Sequence, residues 1–298
     1  MTAPRQVLPG TTYLVTRRCA QRQFLLQPSN RTTNPVFMYL LAVAARRYDI
    51  RVHAFCVMSN HFHLILTDPH ARLPAFHQFL DALVARALNA ALGRWEAFWA
   101  PNSYSAVRLV SGEDVVEKTA YVLANPVAAG LVGTGSVWPG LWSPPEVIGN
   151  DALVVARPEH FFDPQGGMPE RVALALTIPP GFEDPEQFRR AVVAAATARE
   201  EKARSHWGPR GGFAGIRRIL AQKPTTRPRG EERRRTLKPR VASRDRWKRT
   251  EVLGRLAEFL DSYRNAWMAR RDGTPDVVFP SGTYQLRVFH DVRCAGAG

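Results

Sequence analysis

The chain predicts an α+β fold: a ferredoxin-like split βαβ domain with an antiparallel sheet, followed by a basic, mainly helical C-terminal region. Three observations predict it. Between residues 11 and 125, β-favouring and helix-favouring stretches follow one another in the order β-α-β-β-α-β-α. A two-residue break at Ser59-Asn60 joins two of the strands directly. Beyond residue 199 the composition turns strongly basic.

Taken in order, Thr11 to Arg18 is rich in Thr, Tyr and Val and reads as a strand. Pro35 to Tyr48 suits a helix, with Asn34 as its cap and Pro35 at the first position. Ile50 to Met58 and His61 to Thr67 are the two strands about the tight turn. Leu73 to Leu92 carries apolar residues at helical spacing and stops at Gly93. Ser103 to Val110 is a further strand, and Gly112 to Asn125 a helix whose end Pro126 enforces. The sheet is expected to give one face to the helices and keep the other for a ligand. Trp138 to Pro145 reads as a connector, so domains are expected at 1–150 and 151–298. Past it, Phe188 to His206 is helical, Gln222 to Arg240 an extended mobile arm, and Arg246 to Arg271 helical again. Trp247, Leu253, Leu256, Leu260, Tyr263 and Trp267 are the expected packing positions of that last helix.

The 298 residues carry a net charge of +15, and 45% of them are hydrophobic, which supports a folded core. With a pI near 10.6, the expected partner is a polyanion. Between Arg199 and Arg249 there are 18 Lys and Arg against 5 Asp and Glu, a net of +13. That block reads as a phosphate-tracking arm, with Trp207, Phe213 and Trp247 interspersed for base stacking. Its candidate contacts are Arg217, Arg218, Arg233, Arg234 and Arg235, joined by Arg17 and Arg18 at the end of the first strand. Cys19, Cys56 and Cys294 are scattered, so no disulfide framework is expected, and a reducing cytoplasm fits best. The N-terminus MTAPRQVLPG has no apolar core of signal-peptide length and no run approaches 18 apolar residues, so neither secretion nor a membrane span is expected.

The chemistry concentrates in two segments. In His61-Phe62-His63, strand alternation sends both imidazoles to one face, about 7 Å apart, where they can converge on a metal ion. Tyr121 and Asn125 lie four residues apart on the last helix of the domain, a phenol and an amide on one face. An amide oxygen is an acceptable further ligand for a divalent ion. Tyr104 is a rival nucleophile and His53 a rival ligand; Cys56 beside the histidines invites a zinc hydrolase reading. A non-catalytic DNA- or RNA-binding protein on the same fold is the other alternative.

These segments resemble the single-tyrosine HUH transposases, and most closely the REP-associated tyrosine transposases. The His-hydrophobic-His motif is matched by His61-Phe62-His63, and the nucleophile motif by Tyr121 to Val132, including Asn125-Pro126-Val127 and Gly130-Leu131-Val132. Val15-Thr16-Arg17-Arg18 is also similar. Where family members often carry Arg, this chain has Ala128 and lacks that phosphate contact. The resemblance covers roughly residues 11–145. It implies an HUH domain in which His61, His63 and Asn125 hold Mg²⁺ or Mn²⁺ and Tyr121 is the nucleophile. The implied activity is cleavage and rejoining of single-stranded or hairpin DNA through a 5′-phosphotyrosine. The setting would be the cytoplasmic nucleoid, with monomer and homodimer both left open.

Overall fold

In a computed structural model of the chain, the described residues are 4–29, 31–101, 104–230 and 239–296. They form a mixed α/β fold around a five-stranded, mostly antiparallel sheet. Strands β1 (Thr11–Arg18), β2 (Arg51–Met58), β3 (His61–Asp68), β4 (Ser105–Leu109) and a short late strand (Val241–Ala242) lie in the order β2-β3-β1-β4-late strand. The first four pair antiparallel; the last joins β4 in parallel. The hairpin turn falls at Ser59-Asn60, as expected, with Met58 opposite His61.

Helices α1 (Thr33–Tyr48) and α2 (Leu73–Ala91) pack on the sheet face that carries Phe62, which is fully buried. Its ring meets Phe37 of α1 edge-on at 5.1 Å. Helix α1 begins at Thr33, so Pro35 sits within the first turn, where a missing N–H costs nothing. Helix α2 is started by the buried carboxylate of Asp68, which accepts from the amides of Arg72 at 2.9 Å and Leu73 at 2.7 Å.

The other face is not left open. Helix α3 (Gly112–Leu123) lies across β2 and β3 there, followed by a short helix α4 (Asn125–Ala128). Ser111 and Asp114 form a reciprocal capping box that starts α3. Asp114 also accepts from the Arg244 amide at 2.7 Å, tying α3 to the C-terminal region.

The packed unit just beyond the connector was not foreseen. A hairpin of β5 (Leu153–Ala156) and β6 (Arg171–Leu174) continues from the β2 edge, where Leu176 bridges Val52, and packs on α1. It explains why α1 is apolar nearly all round: it is covered on both sides. Helix α5 (Pro185–Trp207) stacks on α3, with Arg199 and Glu117 paired at 2.6 Å. Phe188 and Val192 of α5 belong to the same buried cluster as Phe62, so no break in packing marks residue 150.

Next come α6 (Ile216–Leu220), the late strand β7 (Val241–Ala242) named above, α7 (Arg246–Arg271) and α8 (Gln285–His290). Helix α7 buries Val252, Phe259 and Ala266, each seven residues apart, rather than the expected set. Trp247 and Leu253 are exposed, while Leu256, Leu260, Tyr263 and Trp267 are half-buried. The heptad, not the tryptophans, marks the packed stripe. Among the described residues, no helix is long and apolar enough to cross a membrane.

Burial works against the charge on Asp114, but hydrogen bonds from Ser111 and the Arg244 amide outweigh it and hold the carboxyl below its usual range. Asp114→Ala is therefore expected to cost about 1–3 kcal/mol in urea unfolding, since it leaves buried donors without an acceptor. A change under about 0.5 kcal/mol would show that this tie carries no stability.

Candidate active site

The β1–β3 register builds the site. Arg18 stands opposite His61, and Thr16 opposite His63, so all four occupy one face of the sheet. Each imidazole is then held through its Nδ1. The Asn60 side-chain oxygen lies 2.7 Å from Nδ1 of His61, and the Thr16 hydroxyl 2.7 Å from Nδ1 of His63. The two rings stand 4.8 Å apart and nearly perpendicular. Oriented this way, Nε2 of His63 meets the Asn125 amide at 3.3 Å.

Asn125 arrives there because the chain breaks before it. Pro126 has no N–H to continue the α3 ladder. Helix α3 therefore stops at Leu123, rather than running to Asn125 as expected, and Asn125 opens α4. The Leu123 carbonyl, in the last turn of α3, accepts instead from the Trp142 indole at 2.9 Å. Tyr121, one turn back, is 36% exposed, with its ring 5.4 Å from that of His63. Lys118 lies 5.9 Å over the same ring. The four residues of the two sequence motifs therefore meet in one place.

Burial, with the charge of Arg18 beside it, holds His61 down to about 4, while its hydrogen bond to Asn125 works the other way. His63 is pushed well below its usual value by burial, by His61 and by Arg18. Both rings are thus neutral near pH 7, the form in which a nitrogen lone pair binds a metal. Two imidazole nitrogens and a side-chain amide oxygen are donors a divalent ion could take, the imidazoles suiting borderline ions and the amide oxygen hard ones such as Mn²⁺ or Mg²⁺. The amide as placed turns its NH₂ to His63, and a half-turn presents its oxygen.

The rivals fall elsewhere. Tyr104 is buried against His77, their rings stacked 3.8 Å apart, on the helix-covered side with α2, and burial pushes its hydroxyl pKa up. His53 is fully buried between the Thr177 carbonyl at 2.7 Å and the Thr67 hydroxyl at 2.8 Å. Cys56 is opposite His63 but fully buried, and burial alone raises its thiol, so it stays protonated. Among the described residues, no three His, Cys, Asp or Glu side chains group as a metal site.

The arginines divide. Arg18 lines a small cavity of about 180 Å³ with Arg22, Asn60 and His61. Arg17 points to the opposite face, paired with Asp81 at 3.2 Å and the Ala100 carbonyl at 3.2 Å. Arg217 and Arg218 are exposed on α6. Arg233, Arg234 and Arg235 lie outside the described residues.

The stretch expected as a mobile arm is, over residues 222–230, pinned to the rim of the site. Ser59 donates to Gln222 at 2.6 Å, Phe24 to the Thr226 carbonyl, and Arg22 to the Gly230 carbonyl. Upstream, Gly130 adopts φ +70, and a Cβ there would come within 2.8 Å of the Trp207 ring, so only glycine fits. Thr16 and Asn60 were missed as site residues. Alternation along β1 puts Thr16 on the face of Arg18, but the sequence does not set the register that aims it at His63.

His53 and His61 are both held to about 4 when folded, chiefly by burial, against about 6.5 when unfolded. Between those values the unfolded chain binds more protons, so stability is full above about pH 6.5 and lost as pH falls towards 4. Urea midpoints taken in chelator should drop from pH 7.5 to pH 5, and His53→Gln should reduce the drop. A flat profile would contradict the burial of these rings.

No protein-family model matches the chain, and no curated protein does. Among solved structures, the chain is similar to a REP-associated tyrosine transposase bound to a REP hairpin. The identity is 20% and the TM-score 0.40, over 47% of this chain and 81% of that one.

Proposed function

We propose that this protein is an HUH-type tyrosine transposase-like endonuclease that cleaves and rejoins single-stranded DNA at hairpin-forming repeats or element ends. The strand order, with helices joining β1 to β2 and β3 to β4, supports the ferredoxin-like split βαβ reading of the core. The observation that carries the proposal is the meeting of Tyr121 and Asn125 with two histidines more than fifty residues away, both held by Nδ1.

His61, His63 and Asn125 would hold Mg²⁺ or Mn²⁺. When bound, that ion supplies Lewis acidity towards a phosphate oxygen. Thr16 and Asn60 fix the two rings so that their Nε2 atoms are the ones presented. Tyr121, exposed beside them, gives up its phenolic proton to solvent and attacks phosphorus. A new P–O bond forms to Tyr121 while the bond to the 3′ oxygen breaks, and that oxygen leaves as a hydroxyl. The 5′-phosphotyrosine conserves the ester, so a later 3′-hydroxyl reverses the step without ATP. Lys118 and Arg18 supply positive charge near the phenol and the phosphate. The exposed arginines of α6 would neutralise phosphates of the strand entering across the pinned rim.

Tyr121→Phe removes only the phenolic oxygen, so DNA binding should persist while the covalent adduct disappears in denaturing gels with labelled single strands and Mn²⁺. Normal adduct from this variant would sink the assignment. His61→Ala should abolish cleavage, and Thr16→Val should weaken Mn²⁺ binding by about 10–100-fold in calorimetry, the range seen when a ligand loses its orienting partner. Unchanged Mn²⁺ affinity in Thr16→Val would separate Thr16 from the metal. Arg217→Ala with Arg218→Ala should flatten the salt dependence of strand binding, by roughly 0.7 in log–log slope for each phosphate that is no longer neutralised. An unaltered slope would take α6 out of the DNA path.

A further inference from the structure

On the sheet face opposite the histidine pair, residues 4–7, α2, α7 and α8 enclose a cleft of about 640 Å³ that the cleavage reading does not use. That volume is within the range of small-molecule sites, about 300–1,000 Å³. Its inner wall is aromatic and cationic. Tyr104 lies stacked on His77, and the Arg5 guanidinium sits 4.0 Å over the Tyr104 ring while donating to its carbonyl. Arg240 lines the same cleft; burial lowers its pKa, and the neighbouring charge of Arg5 lowers it further. Both guanidiniums line the cleft, where their positive charge favours an anion. At the mouth stand Tyr284 and Phe289, the latter 64% exposed.

His77 is the second observation. It is 1% exposed, yet neither ring nitrogen has a hydrogen-bond partner among the described residues. Its Nδ1 lies 3.6 Å from an Asp81 oxygen, within ion-pair reach if the ring is protonated but long for a hydrogen bond. A buried imidazole without a hydrogen bond calls for an explanation, and His77 lines this cleft, where a ligand would reach it.

We propose that this cleft is a second binding site, for a nucleotide, with the phosphate on Arg5 and Arg240 and the base stacked against Tyr284 and Phe289. Flat aromatic walls with paired guanidiniums suit a ligand that joins a planar ring to a phosphate, and stacking on aromatic side chains is how bases are held without regard to sequence. The same chemistry is offered by a free mononucleotide and by one nucleotide of a bound strand. Nucleotide binding in the cleft does not depend on cleavage at Tyr121. Arg17 and Arg18 point to opposite faces of β1, which places the two sites on either side of the sheet.

The test is equilibrium dialysis of the full chain with labelled dAMP, alongside photocrosslinking of a short single strand carrying 5-iododeoxyuridine. Saturable dAMP binding is expected, at least tenfold weaker in Arg240→Glu and several-fold weaker in Phe289→Ala, and retained in His61→Ala. Crosslinks to Tyr104, Tyr284 or Phe289 that dAMP competes away identify a nucleotide of the strand as the occupant. Saturable dAMP binding without those crosslinks identifies the free nucleotide. The proposal is overturned if neither probe binds the cleft, if both cleft variants bind as the parent does, or if His61→Ala abolishes binding. Phe289 is exposed, so that variant keeps the test decisive should Arg240→Glu fail to fold. Loss of cleft binding with normal adduct formation, or the reverse, separates this inference from the proposed cleavage.

Discussion

The pairing of β1 with β3 is the constraint on which the rest depends. A strand sends successive side chains to opposite faces, so one register decides everything on both sides. In the observed one, Phe62 and Arg17 face α1 and α2, while His61, His63, Thr16 and Arg18 face α3. A slip of one residue in β3 would put two imidazoles among the apolar side chains of α1 and α2 and Phe62 under α3 in their place. The fully buried Phe62, edge-on to Phe37 and Trp99, is what fixes the register energetically. Burying a ring of that size is worth about 1.5–3 kcal/mol.

A second constraint sets the other half of the site. Pro126 ends one helix and begins another, and the short turn between them carries Asn125 to the histidines while leaving Tyr121 near the surface. Helix α5 then buttresses α3 from outside, through Arg199 to Glu117 and the Trp207 ring against Gly130. The C-terminal half therefore supports the site as well as supplying charge. Its basic stretch is fastened along the rim by backbone and side-chain hydrogen bonds rather than hanging free.

Much of this was legible in the residues. The strands β1, β2 and β3 and helices α2 and α7 fall within a residue or two of their expected bounds, because alternation, Gly93 and the Ser59-Asn60 break are local signals. The pairing of His61 and His63 on one face followed from strand alternation, while their meeting with Tyr121 and Asn125 was expected only from the resemblance the two motifs carry. What escaped was non-local. The β5–β6 hairpin is short and half exposed, so its pattern is weak, and only the all-round apolarity of α1 hinted that something covered it. Arg17 and Arg18 read alike as adjacent cations; strand alternation separates them, and the Asp81 partner of Arg17 comes from a distant helix. Thr16 became a site residue only through its partner across the sheet. The rim position of residues 222–230 rests on hydrogen bonds to residues about two hundred positions earlier, which no local composition reports.

The β1–β3 register and the break before Asn125 bring His61, His63 and Asn125 together beside Tyr121, and the role proposed for those three is to hold one metal ion. A crystal grown with Mn²⁺ and measured at the manganese absorption edge tests it most directly. The predicted result is one anomalous peak about 2.0–2.3 Å from Nε2 of His61, Nε2 of His63 and the Asn125 side-chain oxygen, in line with nitrogen and oxygen ligation of divalent ions. A peak elsewhere, or none at saturating Mn²⁺ with both rings ordered as described, would contradict it.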